Sequence, residues 1–192
     1  IYRHVRDGEK VIAVVSALAG ETDALFAQAR RVGGDQAPAA LVARLARVGE
    51  LQSAALMALA LSKAGLRAWT LDPQEKALNA QGSPLDSNLT AVDAEAVWTQ
   101  IDRNDVVVLP GFIADHADHG VVTLGRGGTD LSAVFFADRL DAHRVRLIKD
   151  VDGVYDEDPA RNSNAQRYSQ LSYAGAEKAS NGLIQVKAIH AA

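Results

Sequence analysis

Two stretches constrain this chain more than any other. Val11-Ile12-Ala13-Val14-Val15 and Val106-Val107-Val108-Leu109 are apolar at every position, without the every-second-residue alternation of a half-exposed strand. A strand that reads this way has both faces covered, and helices packed on the two sides of a parallel sheet are the usual cover. Residues 66–71 form a weaker run of the same kind, and 145–148 a later one. Between these runs, helical spacing recurs over residues 22–31, 38–64, 92–100, 129–140 and 173–180. Pro38 suits a first helical turn, and Gly65 the position just past a helix end. The alternation predicts an α/β fold: a three-layer α/β/α sandwich around a mainly parallel sheet. Leu56, Met57 and Leu59 read as core residues of the long second helix. Gly33 to Gln36 and Asn79 to Pro84 read as loops, from their turn-forming residues.

Composition narrows the function. The 192 residues are 48% apolar and 23% charged, which fits one soluble domain with a real core. A net charge of -4 disfavours a dedicated nucleic-acid binder, which would present a basic face. No apolar run approaches the roughly 20 residues that a membrane helix needs. With no cysteine there is neither disulfide nor thiolate metal site, and a cytoplasmic location is the expectation. The first residues have no signal-peptide layout and no Met, and the chain stops at Ala191-Ala192 without a capping signal. The natural protein is therefore expected to continue at both ends.

The chemistry concentrates in turns between strands and helices. Thr123-Leu124-Gly125-Arg126-Gly127-Gly128-Thr129-Asp130 places three glycines in four positions just before a helix. Glycines there let the backbone turn tightly and approach a ligand without a Cβ clash. The helix that follows directs its free N–H groups and positive dipole end at the loop. Arg126 adds a planar fork suited to a carboxylate or a phosphate. Glycine-rich turns also occur without ligands, with Thr129 acting only as a helix cap. A second segment, Val14 to Asp23, is again strand, small-residue turn and helix, and Ser16, Gly20 and Thr22 would line the same sheet edge. A third, Lys149-Asp150-Val151-Asp152-Gly153-Val154-Tyr155, suits the adenine and ribose end of a nucleotide site, although Asp-Gly pairs are also ordinary turn chemistry.

Here the chain resembles the aspartokinases. Gly125 to Asp130 is similar to their Gly-Arg-Gly-Gly-Ser-Asp signature, with Thr129 in the Ser place. Val14 to Asp23 resembles their Val-Ser-Ala-x-x-Gly-x-Thr-Asn segment, and Gly49-Glu50-Leu51-Gln52-Ser53-Ala54 their Gly-Glu-x-x-Ser-Ala segment. Pro110-Gly111-Phe112 and the loop from Asp150 to Pro159 complete the set, in family order. The resemblance implies an amino-acid-kinase (carbamate-kinase-like) fold, with residues 1–192 as one catalytic domain. It implies phosphorylation of the L-aspartate side-chain carboxylate by ATP with Mg²⁺, the first step toward lysine, threonine and methionine.

By motif match, Arg126 and Asp130 are the catalytic candidates. Thr22, Glu50, Arg126, Gly127, Gly128 and Thr129 would bind substrate. Ser16, Gly20, Lys149, Asp150 and Tyr155 would bind the nucleotide. No residue is assigned as a metal ligand, because Mg²⁺ is expected to ride on the ATP phosphates and water. The expected partners are L-aspartate and ATP, with neither nucleic acid nor membrane, in a homo-oligomer.

The pattern also has gaps. The family's opening Lys-Phe-Gly-Gly-Thr-Ser is missing and would lie upstream of Ile1. Its Gly-Ala-Lys-Val-Leu-His-Pro is poorly matched by Asn181 to Lys187: Gly182 falls where a nucleotide-site Lys belongs, and only a shifted alignment gives that role to Lys187. Lys149 stands where most members have Thr. These gaps sustain a rival reading, a degenerate kinase domain that binds ligand or assembles with a partner such as a fused homoserine dehydrogenase. Kinases of glutamate or UMP are alternatives within the same fold. His116 and His119 have metal-like spacing, but they sit in a polar turn between two strands and read as a solvated loop.

Overall fold

The computed structural model describes residues 1–72, 78–179 and 183–192. A short helix α1 (Tyr2–Arg6) leads into β1 (Val11–Val15), α2 (Glu21–Gly33) and the long α3 (Ala39–Lys63). Then follow β2 (Ala68–Thr70), β3 (Leu78–Ser83), β4 (Asp86–Val92), α4 (Ala94–Arg103) and β5 (Val106–Pro110). The chain continues through β6 (Ile113–His116), β7 (Gly120–Thr123), α5 (Gly128–Arg139), α6 (Tyr173–Ala179) and α7 (Val186–His190).

β5 is the centre of the molecule. It lies between β1 and β2, parallel to both, with Val15 opposite Pro110 and Thr70 opposite Val108. All five of its residues are buried. Because side chains alternate along a strand, Val107 and Leu109 enter one apolar cluster while Val106 and Val108 enter the other. The first cluster includes Val97 and Ile101 of α4 with Leu131 and Phe135 of α5, and the second includes Ala54 and Leu61 of α3. Helices thus cover the sheet on both sides, the α/β/α layering that uninterrupted apolar strands require.

Small residues let α3 lie close to its neighbours: Ala43, Ala46, Gly49, Ser53 and Ala54 are all buried. Met57 packs against the second cluster, but Leu56 and Leu59 face outward, at 47% and 67% exposure, contrary to the core assignment. The buried stripe of α3 is built mainly from small residues, with Glu50 and Leu61 the large members, while Leu41, Val48, Leu56 and Leu59 on its other faces meet water. At α4 the Asp93 carboxylate accepts from the Ala96 N–H at 3.0 Å, a side-chain cap that starts the helix where Val97 and Ile101 can both turn inward.

A second sheet, ordered β4-β3-β6-β7, joins two antiparallel pairs through one parallel contact between β3 and β6. It includes residues 79–83, read from sequence as loop. Leu78 and Ala80 are buried while Gln81, Gly82 and Ser83 are exposed, so a short alternation had been hidden by turn-forming residue types. Residues 145–148 differ in the opposite sense and form no strand. Val145 and Ile148 are 44% and 80% exposed, and this segment pairs with no neighbouring strand. An apolar run gains burial only when a ladder partner and a covering layer meet it. Ser180, the expected end of the last helix, lies outside the described residues, as do Asn181 and Gly182. Among the described residues no helix is long and apolar enough to cross a membrane.

Leu109→Ala is expected to destabilise the fold by about 2–5 kcal/mol, the range for emptying a fully buried leucine site. Urea unfolding measures it, and a loss below about 1 kcal/mol contradicts the central position of β5.

Candidate active site

Parallel pairing puts the carboxyl ends of β1 and β5 at one edge of the sheet, and their loops leave together. The Gly111 N–H donates to the Val15 carbonyl at 2.8 Å, which ties the loop after β5 to the end of β1. Gly111 is also pressed against Thr129, where a Cβ would come within 2.6 Å of Cγ2. From the other side Ser16 Oγ lies 3.0 Å from Thr129 Oγ1. Ser16 and Thr129, 113 residues apart in sequence, therefore meet at one point. Phe112 takes a positive φ of 65°, and its carbonyl accepts from the Leu124 N–H at 2.8 Å, which holds the entry to the glycine loop.

The glycines of residues 125–128 serve distinct purposes. Gly125 and Gly127 both have φ of 73°, the left-handed region that side chains rarely adopt. The space a Cβ would need is already occupied: Asp86 Oδ1 would lie 2.3 Å from it at Gly125, and Gln185 Cγ 2.1 Å from it at Gly127. Gly128 is buried against Leu124 and Phe112, and its N–H donates to the Gly125 carbonyl at 3.1 Å. That amide belongs to the turn. Helix geometry leaves the Thr129 and Asp130 N–H groups without an intrahelical acceptor, directed at the same edge. Gly20 plays the corresponding part at α2, with φ of 79° at the helix N-cap and Thr22 half-buried in the first turn.

Charges are distributed unevenly. Glu50 of α3 is only 1% exposed and sits beneath the loop after β1. The next residue back, Gly49, packs against Ala17, Glu21 and Leu25, and a Cβ there would be 3.0–3.2 Å from all three. One backbone hydrogen bond from Ala17 reaches the Glu50 carboxylate, while its Oε2 has no hydrogen-bond partner among the described residues. Burial dominates over that bond and pushes the Glu50 pKa up to about 7. Arg126, by contrast, is exposed and has no hydrogen-bond or ion-pair partner among the described residues. It lines a cleft of about 460 Å³ with Asp86, Gly125, Gln185, Val186 and Lys187. Lys149 donates to Asp130 Oδ2 at 2.6 Å, both side chains largely buried, so its charge is directed at the start of α5.

The structure therefore brings together Ser16, Thr129, Asp130 and Lys149, and sets Glu50 below and Arg126 at the rim. Asp150 is exposed. Tyr155 lies in a separate turn, where its hydroxyl donates to Asp152 Oδ1 at 2.9 Å and its backbone bridges Arg167. Its hydrogen bond and its bridge both stay within that turn. His116 and His119 stack with ring centres 4.5 Å apart, and no group of three potential metal ligands occurs among the described residues. Asp86 and Gln185 were missed from sequence, and Lys187 was seen only through a shifted alignment. Asp86 lies at the start of β4, and nothing local marks its approach to a loop 39 residues on.

Comparison with known proteins agrees with this architecture. The model of the amino acid kinase family matches residues 1–192. An aspartokinase of Helicobacter pylori is 36% identical over 166 residues, covering 86% of this chain and 41% of that protein. An aspartate kinase of Pseudomonas fluorescens is 32% identical over 186 residues, covering 95% of this chain and 45% of that protein. The chain thus spans less than half the length of these curated relatives. Among solved structures, E. coli aspartokinase III in complex with aspartate and ADP superposes with a TM-score of 0.87 at 20% identity, covering 99% of this chain and 55% of that one. The fold is shared throughout.

Glu50 supplies a test of the site's electrostatics. Its folded pKa near 7 exceeds the ordinary 4.5, so between those values the folded chain holds a proton that the unfolded chain has released. Stability attributable to Glu50 is therefore expected to fall as pH rises through this window and to level off above it, by on the order of 3 kcal/mol at most. Glu50→Gln should remove this component. Thermal unfolding from pH 4.5 to 8 checks it, and parallel curves for the two proteins contradict a buried, proton-binding Glu50.

Proposed function

The chain belongs to the amino acid kinase family, and from that membership we propose that it is the catalytic domain of an aspartokinase, transferring the γ-phosphoryl group of Mg·ATP to the side-chain carboxylate of L-aspartate. The observation that carries this reading is a pair of incompletely partnered polar groups, a buried carboxyl beneath the loop after β1 and a guanidinium on the glycine loop. Among the described residues, Glu50 is a buried carboxyl with one unpartnered oxygen and Arg126 a guanidinium with no hydrogen-bond or ion-pair partner. An amino acid carries the complementary pair, an ammonium and an α-carboxylate. A zwitterion with a second carboxylate has its reactive group left over, directed toward the start of α5. The relatives named as aspartokinases, and the E. coli enzyme's complex with aspartate and ADP, support this choice over UMP or another small acid.

In this mechanism the aspartate ammonium lies against Glu50 and draws its proton off, since a cation beside a buried carboxyl favours the charged form. Arg126 forks onto the α-carboxylate. A side-chain carboxylate oxygen attacks the γ-phosphorus, a new P–O bond forms, the bond to the bridging oxygen of ADP breaks, and 4-phospho-L-aspartate leaves with ADP. Proteins catalyse such transfers chiefly by alignment and charge neutralisation. The Thr129 and Asp130 amides at the start of α5 are suited to the transferring group, and Ser16 holds Thr129 in place. Gly127, Gly128 and Gly20 serve by shaping the turns. Lys149 supplies the nearby positive charge, with Asp130 orienting it. Mg²⁺ brought in with the nucleotide would supply charge neutralisation of the phosphates; Asp130, which accepts from Lys149, would leave its coordination mainly to phosphate oxygens and water. Asp150 and Tyr155 remain the candidates for the nucleoside end.

Acyl phosphate trapped as a hydroxamate is expected from L-aspartate and ATP, with far less from glutamate; equal rates with both acids would sink the assignment. Arg126→Lys should raise the aspartate KM by about 10- to 100-fold, equivalent to 1.5–3 kcal/mol, and leave nucleotide affinity almost unchanged. Aspartate affinity should also rise with pH through about 7, because binding uses charged Glu50. Glu50→Gln should abolish that slope, and a Gln variant that retains it excludes Glu50 as the amine site.

A further inference from the structure

The cleft in front of the glycine loop is already occupied by the protein itself. Asp86 lies just past the β3–β4 turn, and its Oδ1 accepts from Lys187 Nζ at 2.5 Å. The same carboxylate fills the space beside Gly125, where even a methyl group would collide with it. Arg126, without a hydrogen-bond or ion-pair partner among the described residues, lines the same cavity of about 460 Å³. Gln185 closes the other side against Gly127. A carboxylate, two cations and two left-handed glycines thus converge from three separate parts of the chain.

We propose that Asp86 is a tethered competitor for the anionic group that this cleft binds, and that Lys187 is the cation for which the two compete. This deepens the kinase reading and rests on it only for the identity of the anion, an amino-acid carboxylate or a nucleotide phosphate. The chemistry of the pair fits displacement. Both side chains are partly exposed, at 38% for Lys187 and 66% for Asp86, so the bridge is screened by water and contributes little net energy. An incoming anion that offers two or more charged oxygens to Lys187 and Arg126 together outcompetes a single carboxylate that reaches only one of them. Until it does, the fraction of molecules with Lys187 free limits the apparent affinity. Release of Asp86 also empties the space beside Gly125, so the loop backbone becomes accessible to ligand at the position where the absence of a side chain matters.

Asp86 and Lys187 then have opposite effects on binding, which a merely structural salt bridge does not produce. Isothermal titration of the protein with L-aspartate, ADP and inorganic pyrophosphate, each alone, reads this directly. Asp86→Asn is expected to tighten one of these ligands by about two- to fivefold, the scale of a surface ion pair. Lys187→Met should weaken the same ligand by at least about tenfold, with Lys187→Arg restoring much of it. Asp86→Asn should have no further effect once Lys187 is Met. The ligand that responds identifies the anion: L-aspartate alone means a carboxylate, whereas ADP with pyrophosphate means a phosphate and moves Arg126 from the α-carboxylate to the nucleotide. Asp86→Ser replaces Asp86→Asn should that variant not fold. The proposal is overturned if removing Asp86 weakens binding or leaves all three ligands unchanged, or if its effect persists without Lys187. Opposite effects on pyrophosphate in a protein that makes no acyl phosphate would uphold the competitor and discard the kinase reading. Acyl phosphate formation with unaltered binding in both variants would do the reverse.

Discussion

β5 has no solvent-facing side. Val106 and Val108 face α3, Val107 and Leu109 face α4 and α5, and the strand's backbone bonds to β1 on one edge and β2 on the other. A strand enclosed in this way has its direction and register fixed, because a slip by one residue would exchange the two apolar clusters. The fixed register sets Val15 level with Pro110, and so the loops that follow them begin at the same height. From there the Gly111–Val15 hydrogen bond and the Gly111–Thr129 contact pass the positioning on to the glycine loop. The site is therefore a consequence of the sheet: ligands of open α/β folds bind beyond the carboxyl ends of parallel strands, where loops from different strands converge.

Charge at this edge follows a division of labour. Lys149 and Asp130 are partly buried and paired, as are Arg47 of α3 and Asp72 just past β2, so neither pair leaves an isolated ion. Glu50 differs in having no ion-pair partner among the described residues. A carboxyl held beneath a loop with one backbone donor is poorly compensated, and the fold accommodates it by favouring the protonated form. Such a group works against stability above neutral pH, and perturbed carboxyls of this kind cluster at functional sites. Arg126 is the complementary case, a cation kept in water at the rim, where having no partner among the described residues has little effect on stability.

Three glycines in four residues were legible as a ligand-approach loop, yet two of them admit protein side chains, Asp86 and Gln185. Absent Cβ atoms do permit close approach there; the identity of what approaches comes only from the tertiary arrangement. The second sheet shows a similar limit. Its residues 79–83 are rich in turn formers, and pairing with β4 overrides that preference. The run at residues 145–148 shows the converse, a strand-like composition that no partner completes.

The sequence by itself determined the layer order, the helices that cover β1 and β5, and the turns that hold the chemistry. Those follow from apolar periodicity and backbone preference, which act over a few residues. Only the tertiary structure decided which distant groups meet: Ser16 with Thr129, Lys149 with Asp130, Lys187 with Asp86, and Glu50 with the underside of the loop after β1. It also decided their charge states, because burial is a property of the packed molecule. Glu50 is an ordinary helix residue in the sequence, and becomes a carboxyl with a pKa of about 7 when α3 closes against the turn that follows β1.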